Sequence, residues 1–405
     1  MHIYVFLFLL GAVLGLLACE FADRWGCSQK YRSSLPKKLF IVFTSGIATV
    51  ALYWWEVQME MLMPHGMQNE HLLSQHDAFT AVSVFVQRYI IHLILFWFLL
   101  VATLTDFYEM VIPDWITVSG TVTALIAAVF FRLAGLPVTE IRWADDFFPI
   151  FVTQFFAMHV WSPNSLDPNS IGIDLLVMMF IMTPLWWFWC FAMLDRVWYT
   201  KLSFRKANAI FWRYLYRSPR TKLIIANALM VPVFFAVVVY CEDVIFFTAP
   251  DGRVIGYSGL SRIALLSSLV GMAFGMILVW GIRLVARWVL GIEAMGFGDV
   301  TLMGMIGAFL GWQAVLLIFF AAPFFGLVYG IVNLALGRGR AVPYGPFLCL
   351  ATVVVVVFWS PIWSATAEYF AFGIETIGIV LLVLLVLFGG LLHVVHKIFS
   401  GRHRD

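Results

Sequence analysis

Long apolar runs separated by short polar stretches make up most of the chain. They mark eleven spans, at about 2–19, 39–57, 81–105, 113–133, 171–194, 222–248, 259–290, 301–316, 317–336, 346–364 and 374–396. Most hold roughly the 20 apolar residues that a helix needs to cross a bilayer. The polar stretches between them are shorter than about 40 residues, a scale on which a core rarely folds alone. The pattern predicts an all-α, polytopic helical membrane protein of about eleven transmembrane helices. The division at 316/317 splits one long apolar stretch into two. A further aromatic stretch, 143–161, is expected to lie along the interface rather than cross. The first run lacks a basic leading region and a small-residue cleavage site, so it reads as a retained first helix rather than a signal peptide. Four regions follow: a helix pair with a short basic loop (1–80), a second pair (81–135), an insertion with extra spans and a basic loop (136–258), and a C-terminal helical region (259–405).

Composition sharpens this. Of 405 residues, 62% are hydrophobic and only 12% charged, against roughly 25% charged in a soluble domain. A water-soluble globule, a disordered tail and a collagen-like fibre are excluded. The net charge of +2 is uninformative, but the placement of the cations is not, because cytoplasmic loops of membrane proteins collect Lys and Arg. With the N-terminus outside, the inner loops receive Arg24, Lys30, Arg32, Lys37, Lys38, the cations of 196–222, Arg283, Arg287, Arg338, Arg340, Lys397, Arg402 and Arg404. Outer loops carry Glu60, Glu70, Asp77, Glu140, Asp145, Asp146, Asp167 and Asp251 instead. The C-terminus is then cytoplasmic. Five cysteines (Cys19, Cys27, Cys190, Cys241, Cys349) include no CxxC pair, which argues against a disulfide framework or a zinc site.

On this topology two aspartates, far apart in sequence, arrive at the same membrane edge. Asp106 ends the third span, and Asp299 follows the seventh within Gly296-Phe297-Gly298-Asp299. An ionisable group there is costly, by roughly 2.5–3.5 kcal/mol at a helix centre and less near the interface. Two acids sharing one site cannot both ionise easily, so one holds a proton while the other is a base. Such a pair can activate water against a peptide carbonyl without metal, cofactor or covalent nucleophile. Gly296 and Gly298 allow a close approach of backbone to a substrate strand.

These stretches resemble the type IV prepilin peptidase family, membrane aspartyl proteases of the GxGD kind. The strings that match are Asp106 followed by Ile112-Pro113-Asp114, then Gly296-Phe297-Gly298-Asp299, Gly307-Ala308-Phe309-Leu310-Gly311-Trp312, and Pro343-Tyr344-Gly345-Pro346-Phe347-Leu348. The resemblance implies an endopeptidase that removes the basic leader of prepilin- or pseudopilin-like proteins at the cytoplasmic face of the bacterial inner membrane. Asp106 and Asp299 would be the catalytic pair. Glu109 and Asp114 would meet the basic leader, with Gly296 and Gly298 lining the substrate strand. The implied partners are such membrane substrates, the lipid bilayer and pilus or secretion assembly machinery, with no nucleic acid. The alternatives are a GxGD protease for other membrane helices, and a non-catalytic transporter or assembly subunit on the same scaffold.

The chain departs from the family in several places. It lacks the paired CxxC of the first cytoplasmic loop, and Cys19-Glu20-Phe21-Ala22-Asp23 only echoes the family's early string. These differences count against N-methyltransferase activity. Thr301 stands where the family has a basic residue, and the interval between the aspartates is long. Plainer roles exist as well. Glu109 and Asp114 read as solvated turn residues, with Asp114 also suited to a helix N-terminus. The spacing of His65, His71 and His76 with Glu70 and Asp77 fits no metal motif, and His393 and His396, one helical turn apart, read as interfacial. Trp186, Trp187 and Trp189 read as an aromatic belt, and the glycines of 296–337 as close helix packing outside the GxGD string.

Overall fold

The computed structural model describes residues 2–26, 34–62, 78–131, 134–136, 138–144, 148–154, 175–193, 219–240, 244–248, 254–258, 260–290, 295–337, 343–370, 376–387 and 389–390, with a few isolated positions in 205–213. The His65, His71, His76 group, the pair His393 and His396, and most of the basic loop 196–222 lie outside them.

Apolar sequence dictates helix wherever backbone groups have no water to bond. α1 (His2–Phe21) and α2 (Leu35–Tyr53) each continue into a short π-helical turn. They pack as a pair through Gly11, Gly15 and Gly46, and Lys38 at the start of α2 ties Glu20 (2.8 Å) and Asp23 (2.7 Å) at the end of α1. α3 (Ala78–Glu109) and α4 (Asp114–Phe130) follow, then hairpin β1–β2 (Val138–Ala144, Phe148–Gln154). After α5 (Leu175–Met193) and α6 (Pro219–Tyr240) comes a second hairpin, β3–β4 (Val244–Thr248, Val254–Ser258). α7 (Leu260–Leu290), α8 (Phe297–Ala335), α9 (Gly345–Val357), α10 (Trp359–Phe370) and α11 (Thr376–Leu387) complete the described chain.

The molecule is a multi-pass helical membrane protein. Among the described residues six helices are long and apolar enough to cross, α1, α2, α3, α6, α7 and α8, or seven if α9 and α10, bent by 92°, form one span. α4, most of α5 and α11 are apolar but shorter. Eleven spans are thus not reached by length and composition. The two hairpins also depart from an all-α reading. β1 and β2 pair antiparallel from Val138 opposite Gln154 to Ala144 opposite Phe148, with β2 and only the end of β1 in the stretch read as interfacial. β3 takes Val244 to Thr248, so α6 stops short of the span 222–248. Both hairpins are rich in β-branched and aromatic residues, which suit a pleated surface better than a helix.

The 39-residue α8 is about 58 Å long at 1.5 Å per residue, nearly twice a bilayer core. It does not run straight. Gly311 has φ 82° and ψ 173°, a region open essentially to glycine alone. As a straight rod, α8 would carry Tyr329 about 45 Å from Asp299. Instead the Tyr329 ring lies 6.5 Å from Phe107 and 5.4 Å from Phe347, back at the end of the bundle where α8 begins. The chain therefore doubles back at Gly311, a little before the division read at 316/317.

The first arm of α8 is the centre of the fold, buried from Asp299 through Ala308. It packs antiparallel on α7, with Gly271 against Gly307 and Gly275 against Met303, so close that no Cβ fits. Small residues at such a contact let helix backbones approach where lipid gives no hydrophobic drive. Gly304 and Gly307 serve this purpose, Gly311 makes a turn, and Gly330 has nothing within 4 Å. The tryptophan belt is also redistributed. Trp186 and Trp189 stack at 4.7 Å and are buried, while Trp187 is exposed. Spacing of three residues puts the first two on one helical face and Trp187 on another.

Candidate active site

Four chain segments converge at one end of the bundle. The first is the last turn of α3. Asp106 stands there at 5% exposure, and its carbonyl accepts a hydrogen bond from Met110 N–H at 2.9 Å. Met110 has φ 54°, a left-handed residue that ends the helix and swings the chain toward α4. The second segment is the turn itself. Pro113 extends the backbone before α4, and Ile112 points inward, 5% exposed.

The third segment is the start of α8. Gly296 is the N-cap and Asp299 the N3 residue, whose Oδ2 accepts the Gly296 N–H at 3.2 Å. An acid at N3 reaching back to the N-cap is half of a capping box and favours the positive helix end. The GxGD spacing thus fixes the carboxyl as well as supplying it. Gly298 lies under Ile112: a Cβ there would come within 3.0 Å of the Ile112 Cβ. Asp299 is 7% exposed.

The fourth segment is 343–346, entering α9. Gly345 donates its N–H to the Asp106 carboxylate, and a Cβ on it would fall 2.5 Å from Asp106 Oδ2 and 2.8 Å from Ile112 Cδ1. Ile112 is thus wedged between Gly298 and Gly345, and Gly345 lies directly on Asp106.

Asp106 and Asp299 come near enough for their charges to interact. Each holds one backbone N–H on its carboxylate. A pair of buried carboxyl groups so placed can supply an acid and a base together. Glu109 and Asp114 stand on either side of the 110–113 turn, partly exposed, with Asp114 as the first residue of α4. Gly296 is exposed and Gly298 half-buried. Among the described residues no three His, Cys, Asp or Glu side chains gather as a metal site would require.

Three neighbours of the pair had no assigned role in the sequence. Arg283, buried on α7, acts electrostatically on Asp299 and lies 5.7 Å from the Phe297 ring centre. Its signal was a cation inside an apolar helix, which orientation alone seemed to explain. Tyr344 lies close enough to Asp299 to feel its charge, and Cys349 feels both acids while bonding Thr103. Tyr344 lies within Pro343–Leu348, but sequence alone does not say which way a ring points.

Comparison with known proteins finds a family match over part of the chain. Residues 221–331 match the type IV leader peptidase family. Over 108 residues the chain is 30% identical to the prepilin leader peptidase/N-methyltransferase of Pseudomonas aeruginosa, covering 26% of this chain and 37% of that protein. It is 33% identical over 124 residues to the protein so named in Stutzerimonas stutzeri, covering 30% and 42%, and 27% identical over 124 residues to that of Pseudomonas putida, covering 30% and 43%. The matches span less than half the length of each of these relatives. No solved structure matches. Over residues 221–331, the chain is thus similar to the type IV leader peptidase family.

Proposed function

We propose that the protein is an aspartic endopeptidase that removes the basic leader of prepilin- or pseudopilin-like proteins at the cytoplasmic face of a bacterial inner membrane. The observation that carries this reading is the meeting of Asp106 and Asp299, both buried and in electrostatic contact, from helices distant in sequence. The family match over 221–331 and the name shared by the relatives support the substrate class.

In this reading the ionised member of the pair takes a proton from water as the water oxygen bonds to the scissile carbonyl carbon. The protonated member passes its proton to the carbonyl oxygen. The backbone N–H groups of Gly296 and Gly345 steady the carboxylates in both protonation states. Gly296 and Gly298 border an extended substrate strand at the exposed edge of the site, and Glu109 and Asp114 draw the cationic leader to the turn. Removal of the leader alone is proposed. The relatives' name includes N-methyltransferase, but this chain has no CxxC pair in its first loop.

The test uses the purified protein in detergent or lipid with a prepilin-like protein that keeps its basic leader. Wild type should release the leader, and Asp106→Ala and Asp299→Ala should each abolish release while retaining the wild-type melting profile. Mass spectrometry of the new N-terminus should find no added methyl. An intact substrate with wild type, or undiminished cleavage by either variant, overturns the reading.

A further inference from the structure

The segment Pro343, Tyr344, Gly345 lies on Asp106 and near Asp299. Its Gly345 N–H bonds Asp106, and its Tyr344 side chain lies within electrostatic reach of Asp299. The Tyr344 Oη is shielded from solvent and has no hydrogen-bond partner among the described residues. Buried side-chain polar atoms nearly always have one, and an exception beside a candidate catalytic pair calls for an explanation. Phe347, one turn further on, packs on Tyr329 and helps to fix the segment.

We propose that Tyr344 is a third catalytic residue, whose hydroxyl donates a hydrogen bond to the scissile carbonyl oxygen as negative charge develops there. This rests on the peptidase reading of Asp106 and Asp299. In the first step the water oxygen bonds to the carbonyl carbon, one water proton goes to the ionised aspartate, and the C=O electron pair moves onto oxygen. Tyr344 stabilises that oxygen and keeps its own proton. The protonated aspartate then neutralises the oxygen. In the second step the C–N bond breaks with its electron pair on nitrogen, and nitrogen takes the proton first collected from water. The hydroxyl on carbon returns a proton to the other aspartate, which restores the pair. A preformed donor aimed at developing charge acts strongly because it needs no reorganisation at the moment of reaction. Burial, and after it the charge of Asp299, push the phenol above its ordinary range, so it remains a donor throughout the working pH range.

The experiment compares wild type, Asp106→Ala, Asp299→Ala and Tyr344→Phe on the same leader-bearing substrate. Tyr344→Phe keeps the ring, and its melting profile is expected to match wild type. Its kcat should fall on the order of 100-fold, with KM within about twofold and the pH profile in place. An unchanged kcat, a loss confined to KM, or a shifted pH profile would each overturn the assignment, the last by making Tyr344 a positioning residue for Asp299. If Tyr344→Phe does not fold, 3,5-difluorotyrosine at 344 replaces it. The more acidic phenol should add an alkaline fall in kcat that wild type lacks across its working range, and the absence of such a fall overturns the proposal. Failure of wild type to cleave removes the peptidase reading itself. Cleavage by wild type and by Tyr344→Phe alike, with both aspartate variants inactive, removes only the role of Tyr344.

Discussion

At Gly345 a single hydrogen stands where any other residue would place a carbon 2.5 Å from Asp106 Oδ2. The position cannot give way easily, because Ile112 fills the other side at 2.8 Å. Gly345→Ala should therefore displace the Asp106 carboxyl or break its bond from the Gly345 N–H. A shift near 1 Å at a reacting group costs about 100-fold in rate, so leader cleavage should fall by at least that order. The readout is a progress curve beside a melting curve, since the variant should lose far more activity than stability. Gly298 faces the same wedge with slightly more room, 3.0 Å from Ile112 Cβ, and Gly298→Ala should be the milder of the two. Asp299 was readable from its string because the N3 position follows directly from GxGD spacing. Gly345 was not, since its importance comes from a side chain of another helix.

Among the elements, α8 and α3 reward attention most. α8 reads in sequence as a continuous apolar stretch, and the point of reversal is set by one backbone angle pair at Gly311. Alanine in that conformation carries a strain of roughly 1–3 kcal/mol. Gly311→Ala should lower the melting temperature and reduce cleavage together, as the returning arm withdraws Tyr329 from Phe107 and Phe347. α3 bears a second polar centre, about 21 Å along the helix from Asp106. There His92 Nδ1 and Glu56 Oε1 lie 2.7 Å apart, each residue 1% exposed, and Arg88 one turn away donates from Nε to the Gly135 carbonyl at 3.0 Å. His92→Leu takes away the short contact to Glu56. Stability should drop by about 1–3 kcal/mol or more, with the cleavage rate per folded molecule unchanged; a thermal melt and an active-site titration separate the two. The sequence pattern singled out none of Glu56, Arg88 or His92. Their pairing across α2 and α3 depends on how those helices meet, which periodicity does not carry.

For the whole molecule, the helical architecture follows from composition, and three of the four motif strings fall on the four segments that form the candidate site. What they could not supply is the order of contact, because the acids are brought together by packing of α4 on α8 and of α9 on α3. The hairpins were hidden for a related reason: aromatic and β-branched runs of five to seven residues look alike in a strand and in a short apolar helix. The insertion that separates α4 from α7 does not part the site, since α4 packs directly on both α7 and α8. The return at Gly311 has a consequence for biosynthesis. Asp106 and Asp299 can be in the membrane before residues 343–346 have left the ribosome, yet the hydrogen bond to Asp106 waits for the last of these segments to arrive. A chain still being translated would hold both acids without the Gly345 N–H on Asp106, so on the proposed peptidase reading cleavage is expected only once the second arm of α8 has returned.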